Sequence, residues 1–134
     1  MSATVFAPNR DALSSVVEKR KHILCTMTTK DTRTMMSALL GMSGYQVTTT
    51  GSVTDALSLT KKGGFDLFIL DGIYPDGFGV DLCEQIRRFD SPTLIVFLSG
   101  LGYDSDIAKG MNAGAQAYLI KPVDMDVLLE TIAG

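Results

Sequence analysis

The sequence predicts an α/β fold built on one parallel sheet, and three features carry that reading. Short apolar runs such as Phe65 to Leu70, broken only by Asp66, and Leu94 to Leu98 mark strands buried on both faces. Between them lie stretches with apolar residues at i, i+3 and i+4, the pattern of amphipathic helices. The two textures alternate, five strands with five helices, and Gly- and Asp-rich turns separate them.

Residues 1–20 stand apart from this alternation. Ser2 to Arg10 is polar, and Asp11, Ala12, Leu13, Val16 and Val17 suit one or two amphipathic turns. This segment reads as an N-terminal extension, partly disordered or a short helix, ahead of one domain over 21–134. His22 to Met27 is the first strand. Asp31 is the predicted cap of the first helix, with Met35, Met36, Leu39 and Leu40 inward and Gly41 and Gly44 as its stop. Tyr45 to Thr49 is a β-branched second strand. Ser52 caps the second helix, with Val53, Ala56 and Leu57 inward, and Gly63-Gly64 ends it. Phe65 to Leu70 is the third strand, and a turn-rich stretch follows from Gly72 to Gly79. The third helix turns Val80, Cys83, Ile86 and Phe89 inward. Thr93 to Leu98 is the fourth strand, Asp104 to Met111 a short helix, and Ala117 to Ile120 the last strand. Asp124 caps a final helix through Ile132.

Right-handed crossovers leave few ways to join such elements. The simplest is a doubly wound, flavodoxin-like (βα)5 sheet with strand order 2-1-3-4-5. The composition excludes several other classes. The 134 residues suit one domain, and 46% apolar residues suffice for a sizeable core. The formal charge of −3 argues against direct nucleic-acid binding. No apolar run approaches the ~20 residues needed to span a bilayer, so no membrane association is expected. Cys25 and Cys83 lie in neither disulfide-scaffold nor metal-ligand spacing, and read as buried free thiols in a reducing cytoplasm. His22 reads as an exposed residue at a strand start. Met35, Met36 and Met42 read as core filler.

In a doubly wound sheet, function gathers beyond the carboxyl ends of the strands. Asp71 closes the third strand, where a carboxylate serves as nucleophile, metal ligand or loop cap. Ser99 closes the fourth, where a hydroxyl bonds an oxyanion or simply starts a loop. Lys121 closes the fifth, followed by Pro122, and an ion pair with Asp71 is the natural expectation.

Phe65 to Asp71 with Pro75-Asp76-Gly77, Leu94 to Gly100, Gly114-Ala115, and Tyr118 to Pro122 resemble, in order and spacing, the receiver domain of two-component response regulators. The resemblance covers about residues 21–133. It implies Asp71 as phosphoacceptor for a histidine kinase, and Ser99 and Lys121 as the groups that stabilise the phosphoryl. It further implies Tyr118 as the aromatic switch, and Ile73 and Leu101 as residues controlling water access. Its usual partner surface corresponds to Asp104 to Asn112, Ala117 to Ile120 and Asp124 to Ile132, and that surface often dimerises.

One departure matters. The family places two adjacent acidic residues at the end of the first strand, where they bind Mg²⁺ together with the phosphoacceptor. The matching positions are Met27 and Thr28. A thioether is a poor ligand for a hard cation, and a hydroxyl adds no charge. A weakened Mg²⁺ site at Asp71, helped by Asp31 or Asp76, is the most these residues offer; Asp31 reads better as a helix cap and Asp76 as a turn residue. The expectation is therefore an atypical receiver, a pseudo-receiver, working through a histidine kinase or another signalling protein and not as an enzyme. The alternatives are a conventional receiver phosphorylated on Asp71 and, from another class, a flavodoxin-like small-molecule binder.

Overall fold

A computed structural model of the chain describes residues 20–90 and 92–133. Apart from Arg20, the expected N-terminal extension lies outside the described residues. The elements in order are β1 (His22–Thr26), α1 (Lys30–Met42), β2 (Gln46–Thr50) and α2 (Val53–Lys62). Then come β3 (Leu67–Leu70), β4 (Ile73–Tyr74), β5 (Gly77–Phe78) and α3 (Gly79–Phe89). The chain closes with β6 (Leu94–Ser99), α4 (Asp104–Ala113), β7 (Ala117–Ile120) and α5 (Met125–Ala133).

Five strands pair in parallel in the order β2-β1-β3-β6-β7. This is the expected doubly wound order, once the small antiparallel hairpin β4–β5 is set aside. Strand periodicity divides the core in two. Leu24, Phe68, Leu70, Ile95 and Phe97 face α2, α3 and α4, whereas Ile23, Cys25, Ile69, Val96 and Leu98 face α1 and α5.

Several local expectations change. The cap of α1 is Thr29, whose Oγ1 accepts from Thr32 N at 3.3 Å, and Asp31 sits exposed in the first turn. Thr29 already has the extended backbone a cap requires, which leaves Asp31 to meet the helix dipole with its charge. Gly41 does not stop α1, which runs on to Met42; the positive φ falls at Gly44. Met36 is core, but Met35 is half exposed and Met42 lies 84% exposed. Phe89, at the last turn of α3, is also exposed rather than inward. His22 is half-buried instead of exposed: its ring lies 4.5 Å from that of Phe65, and Nε2 is 2.7 Å from Thr48 Oγ1.

Other expectations hold. Ser52 Oγ accepts from Asp55 N at 3.1 Å and so caps α2. Asp124 Oδ1 accepts from Asp126 N at 3.0 Å at the start of α5. Both cysteines are buried and free. No helix among the described residues is long and apolar enough to cross a membrane.

Candidate functional site

The carboxyl ends of β1, β3, β6 and β7 open into one crevice, and strand order reverses between β1 and β3. Asp71 follows β3 directly, so the turn that leaves the strand sets its carboxylate at the floor, where the side chain is 10% exposed. Lys121 follows β7, and its Nζ reaches Asp71 Oδ2 at 3.0 Å. Thr28 N donates to the same oxygen at 3.2 Å, and Gly72 N donates to Oδ1 at 2.8 Å. A carboxylate so deep is tolerated because it is paired and accepts hydrogen bonds. The Lys121–Pro122 peptide is cis.

A second layer fixes the main chain of Asp71. Asp71 N donates to Tyr74 Oη at 2.7 Å and to Thr26 O at 3.1 Å. Tyr74 Oη donates onward to Thr26 O at 3.0 Å. Burial pushes the Tyr74 phenol far above its ordinary value, so it remains a protonated donor. Burial also pushes the Cys25 thiol up to about 12, with the Asp71 charge adding to the effect and Lys121 opposing it. Such a thiol is unreactive.

Ser99 ends β6, fully buried, in the same crevice. It makes no hydrogen bond to Asp71; its Oγ accepts from Leu101 N at 3.0 Å. It faces Gly72 so closely that a Cβ there would overlap Oγ. Tyr118 is turned inward, stacked on Phe97 with 5.3 Å between ring centroids, and its Oη donates to Leu101 O at 2.6 Å. Ser99 and Tyr118 thus grip one loop residue, Leu101, by its N–H and its C=O. Ile73 and Leu101 line a cavity of about 420 Å³ beside Gly72.

The β1 end of the crevice carries no acidic group. Met27 is completely buried, packed with the α1 and α5 side chains. The Thr28 hydroxyl donates to Ile73 O at 2.6 Å. Arg33 Nη1 donates to Met27 O and Thr28 O, each at 2.9 Å. Asp76 is spent elsewhere: it accepts from Val53 N at 2.8 Å, Thr54 N at 3.0 Å and Thr54 Oγ1 at 2.9 Å, at the start of α2. It is the expected turn residue, between β4 and β5, and not a helper at Asp71, and those bonds, the Val53 N–H first, lower its pKa. Among the described residues no three His, Cys, Asp or Glu side chains gather around a metal position. Mg²⁺ seeks several hard oxygen ligands with charge. One carboxylate already held by an ammonium, a buried thioether, a committed hydroxyl and an adjacent guanidinium do not fit it.

The sequence reading brought Asp71, Ser99, Lys121 and Tyr118 to the right sheet edge. It missed Tyr74 and Arg33. A large aromatic before a proline, three residues past Asp71, was the available signal for the first. For the second it was a long cationic side chain one turn into the helix, within reach of the β1–α1 loop.

Residues 23–133 match the family model of the response regulator receiver domain. The chain belongs to the response regulator receiver family. The transcriptional regulatory protein AfsQ1 of Streptomyces coelicolor is 35% identical over 96 residues, 72% of this chain and 42% of that protein. The nisin biosynthesis regulatory protein NisR of Lactococcus lactis is 32% identical over 98 residues, 73% of this chain and 42% of that protein. The structure of a CheY-like receiver domain from Methanospirillum hungatei superposes with a TM-score of 0.83 at 26% identity, covering 86% of this chain and 92% of that one. The chain therefore spans about half the length, or less, of the curated relatives it matches. Those relatives correct one expectation. Direct nucleic-acid binding was excluded on net charge, yet AfsQ1 and others among them are named transcriptional regulatory proteins. The charge describes the receiver surface alone and sets no limit on the partners of a longer regulator.

Proposed function

We propose that this receiver is an atypical one: a non-enzymatic, cytoplasmic signalling module that works through protein–protein contacts, with Mg²⁺-dependent phosphorylation of Asp71 impaired. The observation that carries this reading is the β1 end of the crevice. Where the family holds an acidic pair, Met27 is buried in the core and the Thr28 hydroxyl is bound to Ile73 O. In this reading Asp71 remains the residue a phosphoryl group would reach, Lys121 and Ser99 are the groups that would stabilise it, and Tyr118 is the switch.

A second reading has its own support. Asp71, Ser99 and Lys121 line one crevice, and Lys121 is 3.0 Å from Asp71. That arrangement suits a conventional receiver phosphorylated by a histidine kinase, with the lysine meeting the added charge. Intact mass after incubation with acetyl phosphate separates the two. The atypical reading expects no Mg²⁺-stimulated gain. A gain of about 80 Da, one phosphoryl group, that requires Mg²⁺ and disappears in Asp71→Ala would overturn it in favour of the conventional one.

A further inference from the structure

Helix α1 begins with two cations in its first turns, Lys30 and Arg33, where the helix dipole already concentrates positive charge. Asp31 is the acidic residue of that turn. Among the described residues neither cation has a carboxylate within ion-pair distance. Arg33 is nevertheless held in place. Its Nη1 is tied to Met27 O and Thr28 O, and it lies against Gly51, where a Cβ would come within 2.5 Å of Nη1. The guanidinium is therefore positioned in advance, and an anion meeting it need not order the side chain.

Lys30 and Arg33 line a cavity of about 510 Å³ between α1 and β2, together with Thr34, Ser37, Ala38 and Thr49. Two cations and three hydroxyls face this space, and no carboxylate does. We propose that the cavity is a second ligand site of this receiver, which takes the phosphate group of a small phosphate ester. A guanidinium fork suits a phosphate oxygen pair, an ammonium supplies the second charge, and hydroxyls complete the donor set. The recess is open and leaves room beyond a bare phosphate for an organic body. Of the lining residues only Arg33 reaches the β1 end of the Asp71 crevice, through its bonds to Met27 O and Thr28 O, and the site stands whether or not Asp71 is phosphorylated. The two are joined through Arg33, which holds the loop whose Thr28 N–H donates to Asp71.

Adenosine monophosphate serves as the probe, titrated into the full chain while amide ¹H–¹⁵N shifts are followed, with inorganic phosphate and adenosine in parallel. The expected result is saturable shifts at Ser37 and Thr49 with the monophosphate, weaker ones with inorganic phosphate, and none with adenosine. Lys30 is exposed, so Lys30→Met keeps the fold and should weaken binding about tenfold, the loss of roughly one charge-assisted contact. Lys62→Met, at the exposed end of α2 and away from both the cavity and the crevice, should leave the shifts unchanged. No saturable shift at these residues up to about 10 mM, a range that still detects millimolar affinity, would overturn the proposal. So would shifts removed by Lys62→Met, shifts indifferent to Lys30→Met, or equal shifts with adenosine. Inorganic phosphate binding as tightly as the monophosphate would remove the organic body from it.

Discussion

Tyr74 and Asp76 stand two residues apart in the loop after Asp71 and do opposite jobs. Tyr74 works in the dark, its hydroxyl bridging the Asp71 amide and the Thr26 carbonyl. In Tyr74→Phe the Asp71 amide keeps its bond to Thr26 O, so the loss is that of one buried hydroxyl. Urea denaturation should show a destabilisation of about 1 kcal/mol. Asp76 works at the surface, gathering the first amides of α2. Its pKa is lowered by those bonds, so it binds fewer protons folded than unfolded around its ordinary value. The stability it gives is complete above the ordinary carboxylate pKa and is lost as pH falls through the lowered one. Melting temperatures of the wild type and Asp76→Asn should accordingly differ at neutral pH and converge under acid. Equal gaps at both ends would show that the charge is not what matters there.

Among the elements, α4 and β7 meet in a tight contact near the crevice. Gly110 lies in the second turn of α4, and a Cβ there would come within 2.8 Å of the Tyr118 ring. Gly110→Ala should push the ring from its stack on Phe97 and break its bond to Leu101 O. The tyrosine ring resonances in an NMR spectrum would report that displacement, while an unmoved ring would mean that α4 itself gives way. This contact was not legible in the sequence, because a glycine inside a helical pattern shows only that room is needed, not for what. The legible parts were those governed by period. Strand and helix alternation fixed the sheet order, and strand ends fixed the crevice, because both follow from spacing alone. Boundaries and faces at element ends were less legible. Thr29 and Asp31 are both acceptable caps, and Met42 and Phe89 continue the apolar pattern at the last turn, where the core has already ended.

At the scale of the whole molecule, the sheet separates two packed layers and leaves one edge for chemistry. The crevice draws on four strand ends, so its residues come from positions 27 to 121 and are set by the fold rather than by any local segment. The phosphate-ester cavity proposed between α1 and β2 uses the opposite logic, being built from one helix face and one strand. A protein with both would hear two inputs through a single loop, that of Thr28, which Arg33 holds.

The single Asp71–Lys121 pair has an electrical consequence. A crevice with three carboxylates and one lysine carries a net double negative charge, and a divalent ion brings it to zero. Here one carboxylate faces one ammonium, and the balance is already zero from side chains alone. Neutrality is reached by subtraction of anions rather than by addition of a metal. The folded state then has no excess charge for a divalent cation to relieve, and its melting temperature should be the same in millimolar Mg²⁺ as in a chelator. A rise with Mg²⁺ that Asp71→Ala abolishes would mean that the ion still finds a seat at this carboxylate. Without such a rise, the domain is a receiver whose resting charge no longer follows the magnesium of its surroundings.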